Sequence, residues 1–191
     1  MISKKNISLS LLALCPVLLF AHGSHGSGVM SGFTHPILGV DHLVAILGTG
    51  MLGYLMKPKQ WFLPLLSFLV LMIIGGFLGI GNEATFMIEK VIAFSVFALG
   101  VLIAFEYQLG LMPILILTAA FGFFHGYAHG AEMDAENTAL KYISGYSLGT
   151  LLAGTIGMVL GRVTKGQESA DKLVRILGGV IIGCGVMMLL P

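Results

Sequence analysis

Charged residues are scarce in this 191-residue chain. Asp, Glu, Lys and Arg together make up 10% of it, against 57% hydrophobic residues, whereas a typical soluble domain is about 25% charged. So few charges cannot cover a water-facing surface, which excludes an ordinary soluble domain and makes the lipid bilayer the expected environment. The formal net charge is +1, and no basic patch is present, so nucleic acid is excluded as a partner.

Cysteine is nearly absent as well. The two cysteines are Cys15 and Cys184, and two isolated residues make neither a disulfide framework nor a CxxC metal site. Cys184 is expected to be a buried residue that packs in the core. The phosphate-binding pattern GxxxxGK[ST] does not occur either, so the chain itself is not predicted to be an ATPase.

The N-terminus has the pattern of a secretory signal. Lys4 and Lys5 precede an apolar stretch over residues 7–20, which is too short for a comfortable membrane span. Cleavage after Ala21 gives a signal peptide of residues 1–21 and a single transmembrane domain of residues 22–191. An uncleaved extra helix is the alternative, because Leu19 occupies a position where a small residue is preferred.

Long apolar runs dominate the rest of the chain and predict an all-α membrane protein. Each run is close to the ~20 residues that a helix needs to cross a bilayer, and a barrel would show alternating segments of about ten residues instead. We predict six transmembrane helices, at about residues 33–56, 61–80, 88–106, 110–129, 139–161 and 173–190.

The basic residues predict the orientation. Two loops, after the first and fifth spans, hold Lys57, Lys59, Arg162, Lys165, Lys172 and Arg175. Cytoplasmic loops are enriched in Lys and Arg, so both mature termini are expected in the periplasm of a bacterial inner membrane. The first three spans and the last three then have opposite orientations, as in a 3+3 inverted repeat. Glycines at four-residue spacing, such as Gly122, Gly126 and Gly130, predict close helix packing.

Polar chemistry concentrates in three histidine clusters. His22 and His25 begin the mature chain. His35, Asp41 and His42 lie in HPILGVDH at the start of the first span, and His125, His129 and Glu132 lie in FHGYAHGAE at the end of the fourth. Ionisable residues inside spans are costly and usually face a partner, a cavity or a pathway.

The spacing within the clusters predicts a shared site. His35 and His42 are seven residues apart, two turns of one helix, while His125, His129 and Glu132 fall at i, i+4 and i+7. The predicted topology places both clusters in the outer half of the membrane, where they can meet. Imidazole and carboxylate together suit nickel, cobalt or zinc better than magnesium or calcium. Pro36 either starts the first helix, with Thr34 as N-cap, or kinks a longer one.

Other functions use the same residues. The two acids can orient the imidazoles rather than bind a metal. His and Asp can hold zinc for an intramembrane hydrolase with Glu132 as the base, although HExxH is absent. Paired histidines can bind haem, which the neighbouring acids disfavour. An accessory protein that binds metal without moving it fits the pattern too. His22 and His25 are either an ordinary polar terminus or a means of capturing metal.

At HPILGVDH and FHGYAHGAE the chain resembles the HupE/UreJ family of nickel permeases and hydrogenase or urease accessory proteins. The resemblance covers nearly the whole mature chain. It implies uptake of nickel, or of cobalt, as a transported substrate rather than a resident cofactor, and no enzymatic activity. It assigns His35, Asp41, His42, His125, His129 and Glu132 to the metal. Met133 and Asp134 follow Glu132 where a proline is common in the family, so the local turn is expected to differ.

Overall fold

The computed structural model describes residues 28–164 and 168–190, and these ranges contain helices and no strand. The all-helical prediction is therefore confirmed for the described chain, while the signal peptide, His22 and His25 lie outside it. The α-helices are α1 (Val29–Leu38), α2 (Val40–Met51), α3 (Leu63–Gly79), α4 (Phe86–Ala104), α5 (Leu111–Ala131), α6 (Ala139–Thr164) and α7 (Glu168–Leu189); a 3₁₀ turn, Leu52–Leu55, extends α2.

Four of these helices, α4 to α7, are long and apolar enough to cross a membrane. The α1 and α2 helices reach that length only as a pair, and the pair is bent by 82°. The α3 helix has 17 residues and so measures about 25 Å, short of the ~30 Å of hydrocarbon. The described chain is thus a multi-pass helical membrane protein with four spans, or five if the bent pair is one of them.

The first predicted span is interrupted at Gly39. This residue has an extended backbone (φ −75°, ψ 111°) between α1 and α2. Pro36 lies inside α1 and has no N–H to continue the helical hydrogen bonds. The α1 helix already begins at Val29, so the prediction that Thr34 caps it is wrong. The Thr34 hydroxyl donates instead to the carbonyl of Met30, at 3.0 Å.

Apolar side chains face outward along the long helices. On α3, for example, Leu66, Val70, Ile74 and Phe77 are all exposed, and their spacing places them on one face. The buried polar side chains of the described chain lie inside the bundle; they are Ser31, His42, Thr49, Ser95, Thr118, His125, His129 and Thr150. This distribution is expected for a bundle whose surroundings are lipid.

Glycines hold α3 and α5 in close contact. A Cβ atom at Gly122 would overlap the backbone carbonyl of Phe68, and one at Gly126 would overlap that of Met72. The contacting positions increase together along both chains, so the two helices run parallel. Small residues allow this approach because nothing larger separates the backbones.

The α2 and α6 helices form a second parallel pair of the same kind. A Cβ atom at Gly157 would overlap the carbonyl oxygen of Leu47, and one at Gly161 would lie 3.0 Å from that of Met51, so the contacting positions again increase together. The α4 and α7 helices form a third pair, which is antiparallel, because Gly100 packs on Ile182 while Gly185 packs on Phe97. These relative directions agree with chain segments that cross the bilayer alternately.

Replacing a contact glycine should destabilise the fold, whereas replacing an exposed helical glycine should not. Gly126→Ala forces apart α3 and α5, and overpacking of this kind costs about 1–3 kcal/mol. A Cβ atom at Gly179 would meet no heavy atom within 4 Å, so Gly179→Ala should be neutral or stabilising by about 0.5–1 kcal/mol. Thermal unfolding of the purified proteins in one detergent measures both. Equal Tm values for the two variants would contradict the packing described.

Candidate metal centre

The break at Gly39 brings the first histidine cluster together. On a continuous helix, residues seven apart are separated by about 10 Å along the axis. The ring centroids of His35 and His42 are only 6.3 Å apart, because the chain bends between them. The prediction from their spacing, that both lie on one face of a single helix, is therefore wrong. The two residues lie on separate helices and approach each other across the bend.

The second cluster occupies the end of α5. His125 and His129 lie in its last two turns, and Glu132 is the first residue after it. His125 is fixed by its own helix, since its Nδ1 lies 2.8 Å from the carbonyl oxygen of Phe121. A carbonyl can only accept, so Nδ1 carries the proton and Nε2 keeps a free lone pair. Nε2 is therefore the atom of His125 that is available to bind a metal, and a backbone carbonyl orients the ring.

Both clusters meet in the interior. The His42 ring centroid lies 4.2 Å from that of His129 and 5.2 Å from that of His125. His35 Nε2 lies 2.7 Å from Glu132 Oε2. One ligand atom from each of His35, His129 and Glu132 falls within a 4.8 Å group. The structure therefore places the two distant motifs side by side, at separations that one ion and its remaining waters can bridge.

Several ring nitrogens of the buried histidines have no protein partner. Both ring nitrogens of His129, with Nε2 of His42 and of His125, are buried and make no hydrogen bond within the described chain. His42 Nδ1 instead lies 2.8 Å from Asp41 Oδ1, in an ion-pair contact. The same oxygen also accepts from the His42 backbone N–H at 2.9 Å. An unsatisfied buried polar group costs about 1–3 kcal/mol, a cost that a bound cation would remove.

The cluster reaches solvent at one end. The side chains of His35 and Glu132 are 29% and 38% exposed, whereas His125 and His129 are 0% exposed. On the far side of His125 the Phe68 ring lies 5.2 Å away and is itself fully buried. We call the His35–Glu132 side the open end of the bundle and the opposite side the closed end.

Two tyrosines of α6 complete the surroundings, and the two motifs do not predict them. The Tyr146 ring stacks on His129 with centroids 5.2 Å apart, and its hydroxyl donates to the carbonyl of Met72 at 3.3 Å. Tyr142 lies 6.0 Å from His35, and its buried hydroxyl has no hydrogen-bond partner in the described ranges. Their i, i+4 spacing is the available signal, since it places both rings on one face of the fifth predicted span.

Comparison with known proteins matches this chain along nearly its full length. The family described as HupE / UreJ protein matches residues 9–188. A curated relative, Protein HupE of Rhizobium leguminosarum bv. viciae, is 32% identical over 189 residues, which cover 98% of this chain and 97% of the relative. No solved structure gives a significant match.

Glu132→Gln should weaken cobalt binding, because the amide cannot supply the negative charge that faces His35. The loss should be at least about tenfold in affinity, as for other groups that bind or orient at metal sites. Glu83→Gln is the matched control, since Glu83 is exposed in the segment between α3 and α4. Titration of the purified proteins with Co²⁺, followed by visible absorption, gives both affinities. Indistinguishable affinities would remove Glu132 from the centre.

Proposed function

The chain belongs to the HupE/UreJ family, and from that membership and the histidine centre we propose that it is a permease for a divalent transition metal. Nickel is the first proposed substrate and cobalt the second. The proposed ligands are His35, Asp41, His42, His125, His129 and Glu132. The proposal treats the ion as cargo, with no resident cofactor and no catalytic reaction.

One observation carries the proposal: buried imidazole nitrogens without partners sit in the core of an apolar helical protein. His129 presents two such nitrogens, and His42 and His125 present one each, their Nε2 atoms. Neutral imidazole and carboxylate oxygen are donors that nickel and cobalt accept, and affinity for them rises along the first-row series. A stable helix bundle gains nothing from leaving these nitrogens unpaired, so an ion-binding role explains their placement better than packing does.

The proposed orientation places the open end in the periplasm. Lys57 and Lys59, between α2 and α3, lie at the closed end, as does Arg162 near the end of α6. Arg162 packs over the Trp61 ring at 5.4 Å, and basic and aromatic residues together are typical of a cytoplasmic membrane boundary. In this proposal six segments cross the inner membrane, with α1 and α2 forming one and α3 another, and both mature termini are periplasmic.

Entry then proceeds from the open end inward. His35 and Glu132 are partly exposed and would meet the hydrated ion first. His129, His42 and His125 lie progressively deeper and would replace its waters one by one. Because imidazole binds metal only in its neutral form, protons compete with the ion at each stage.

The helix pairs suggest which parts move. Rocking of the first three spans against the last three, expected for an inverted repeat, would separate α2 from α6 and α3 from α5. Those contacts are backbone-to-backbone at glycine, and close-packed interfaces deform little. We therefore propose that each pair moves as a unit, with α2 and α6 shifting against α3 and α5 around the histidines between them.

Cells expressing His42→Ala or His129→Ala should take up radiolabelled nickel at least about tenfold more slowly than wild type, a loss typical of an altered metal site. Asn82→Ala, in the exposed segment after α3, is the control for expression and insertion. Equal uptake by both histidine variants, at matched protein levels, would exclude these ligands from transport.

Nickel flux into proteoliposomes separates a permease from an accessory protein that only binds. The permease proposal expects flux that depends on the reconstituted wild-type protein and is abolished by His129→Ala. Tight binding without flux would support the accessory role. Stoichiometric zinc retained through purification, with hydrolytic activity, would support the hydrolase alternative instead.

A further inference from the structure

Two threonines lie on the same helix faces as His42 and His125, closer to the closed end. We call these two faces, on α2 and α5, the two columns. Thr49 lies seven residues after His42 on α2, and Thr118 lies seven residues before His125 on α5. Seven residues are two helical turns, or about 10 Å, and return to the same face. The two helices cross in opposite directions, so both steps lead away from the open end. Thr49 and Thr118 therefore lie at the same depth, about two helical turns closer to the closed end than His42 and His125.

The Thr49 hydroxyl has no protein partner in the described chain. Thr49 is 0% exposed, and its Oγ1 makes no hydrogen bond. A threonine within a helix ordinarily donates to a carbonyl three or four residues earlier. Thr118, also fully buried, does so with the carbonyl of Ile114 at 2.8 Å. Thr49 differs in keeping both its proton and its lone pairs unused.

A third hydroxyl, that of Ser67 on α3, joins this level. Ser67 Oγ lies 2.6 Å from Thr118 Oγ1. Two residues earlier, Leu65 packs on Gly154, the same residue of α6 that Gly50 contacts. Gly50 is the chain neighbour of Thr49, so α3 passes α2 at the depth of Thr49. The hydroxyls of Thr49, Ser67 and Thr118 therefore come from three helices at one depth; we call them the hydroxyl level.

The hydroxyl level interrupts an otherwise apolar interior. Ile46, Leu52, Phe68 and Ile114, each within four residues of one of these hydroxyls in the sequence, are all fully buried. Interhelical hydrogen bonding accounts for the contact between Ser67 and Thr118, because polar side chains commonly join membrane helices. It does not account for the Thr49 hydroxyl, which bonds to no other helix. A buried hydroxyl without a protein partner at this depth points to a transient ligand.

We infer that the hydroxyl level is a second, weaker binding site for the divalent cation as it moves from the histidine centre to the closed end. This inference rests on the proposed transport function. Neutral hydroxyl oxygens can bind the partly hydrated ion directly or through its waters, but they hold it less firmly than imidazole does. Transport through successive sites requires such weak sites, because the ion must bind favourably enough to enter each site and weakly enough to leave it.

Thr49→Val is the direct test, since valine has nearly the shape of threonine and lacks the hydroxyl. Nickel flux into proteoliposomes should fall about tenfold, the size of one lost hydrogen bond to a charged group. Equilibrium binding of nickel in detergent should keep the wild-type Kd, because the histidines are untouched. Thr49→Ser, which restores a hydroxyl, should recover the flux.

Thr150→Val is the matched control for a buried threonine away from the two columns. Thr150 is 0% exposed, and its hydroxyl is already bonded to Met72 Sδ at 3.4 Å, so flux should stay close to that of wild type. Unchanged flux in Thr49→Val would overturn the inference, as would an equal loss in Thr150→Val, a failure of Thr49→Ser to recover, or a weakened Kd in Thr49→Val. If the wild-type protein bound nickel but gave no flux, the proposed transport would be refuted, and the second binding site with it.

Discussion

Unpaired nitrogens in an apolar interior are the constraint on which this structure depends. Water satisfies a polar group at a soluble protein's surface, but hydrocarbon offers nothing in its place. Both ring nitrogens of His129 and Nε2 of His42 nevertheless lie buried without hydrogen bonds in the described chain. The surrounding helices hold them in place, and the partner proposed for them is a bound cation. Stability and the proposed function thus oppose each other at this point.

The backbone around the centre supplies the needed rigidity. Three helix pairs pack with glycine against backbone, which gives close contact without relying on polar bonds in lipid. The pairing also has a regular form: the first predicted span packs on the fifth, the second on the fourth, and the third on the sixth. Exchanging the first span with the fourth, the second with the fifth and the third with the sixth converts the first pair into the second and leaves the third unchanged. This symmetry agrees with the inverted repeat expected from the charges, and every pair joins one half to the other.

Much of the centre is predictable from the sequence because its signals are local. The i, i+4, i+7 spacing identifies His125, His129 and Glu132, and the charge pattern places HPILGVDH at the same depth. The 82° bend is not predictable, since Pro36 alone permits either a helix start or a kink, and tertiary packing decides between them. Tyr142 and Tyr146 are not predicted for a related reason, since aromatic residues are frequent in spans. The packing of α6 on α1, where Gly32 contacts the backbone of Tyr142, and on α2 brings these two rings to the histidines.

Imidazoles from both motifs are proposed to hold one ion inside the bundle. X-ray absorption spectroscopy of the nickel-loaded wild-type protein in detergent tests it without reference to transport. We expect a coordination shell of nitrogen and oxygen atoms with the outer-shell scattering characteristic of several imidazole rings. That scattering should decrease when either His42 or His129 is replaced by alanine. A shell of oxygen atoms alone, unchanged by those substitutions, would contradict it.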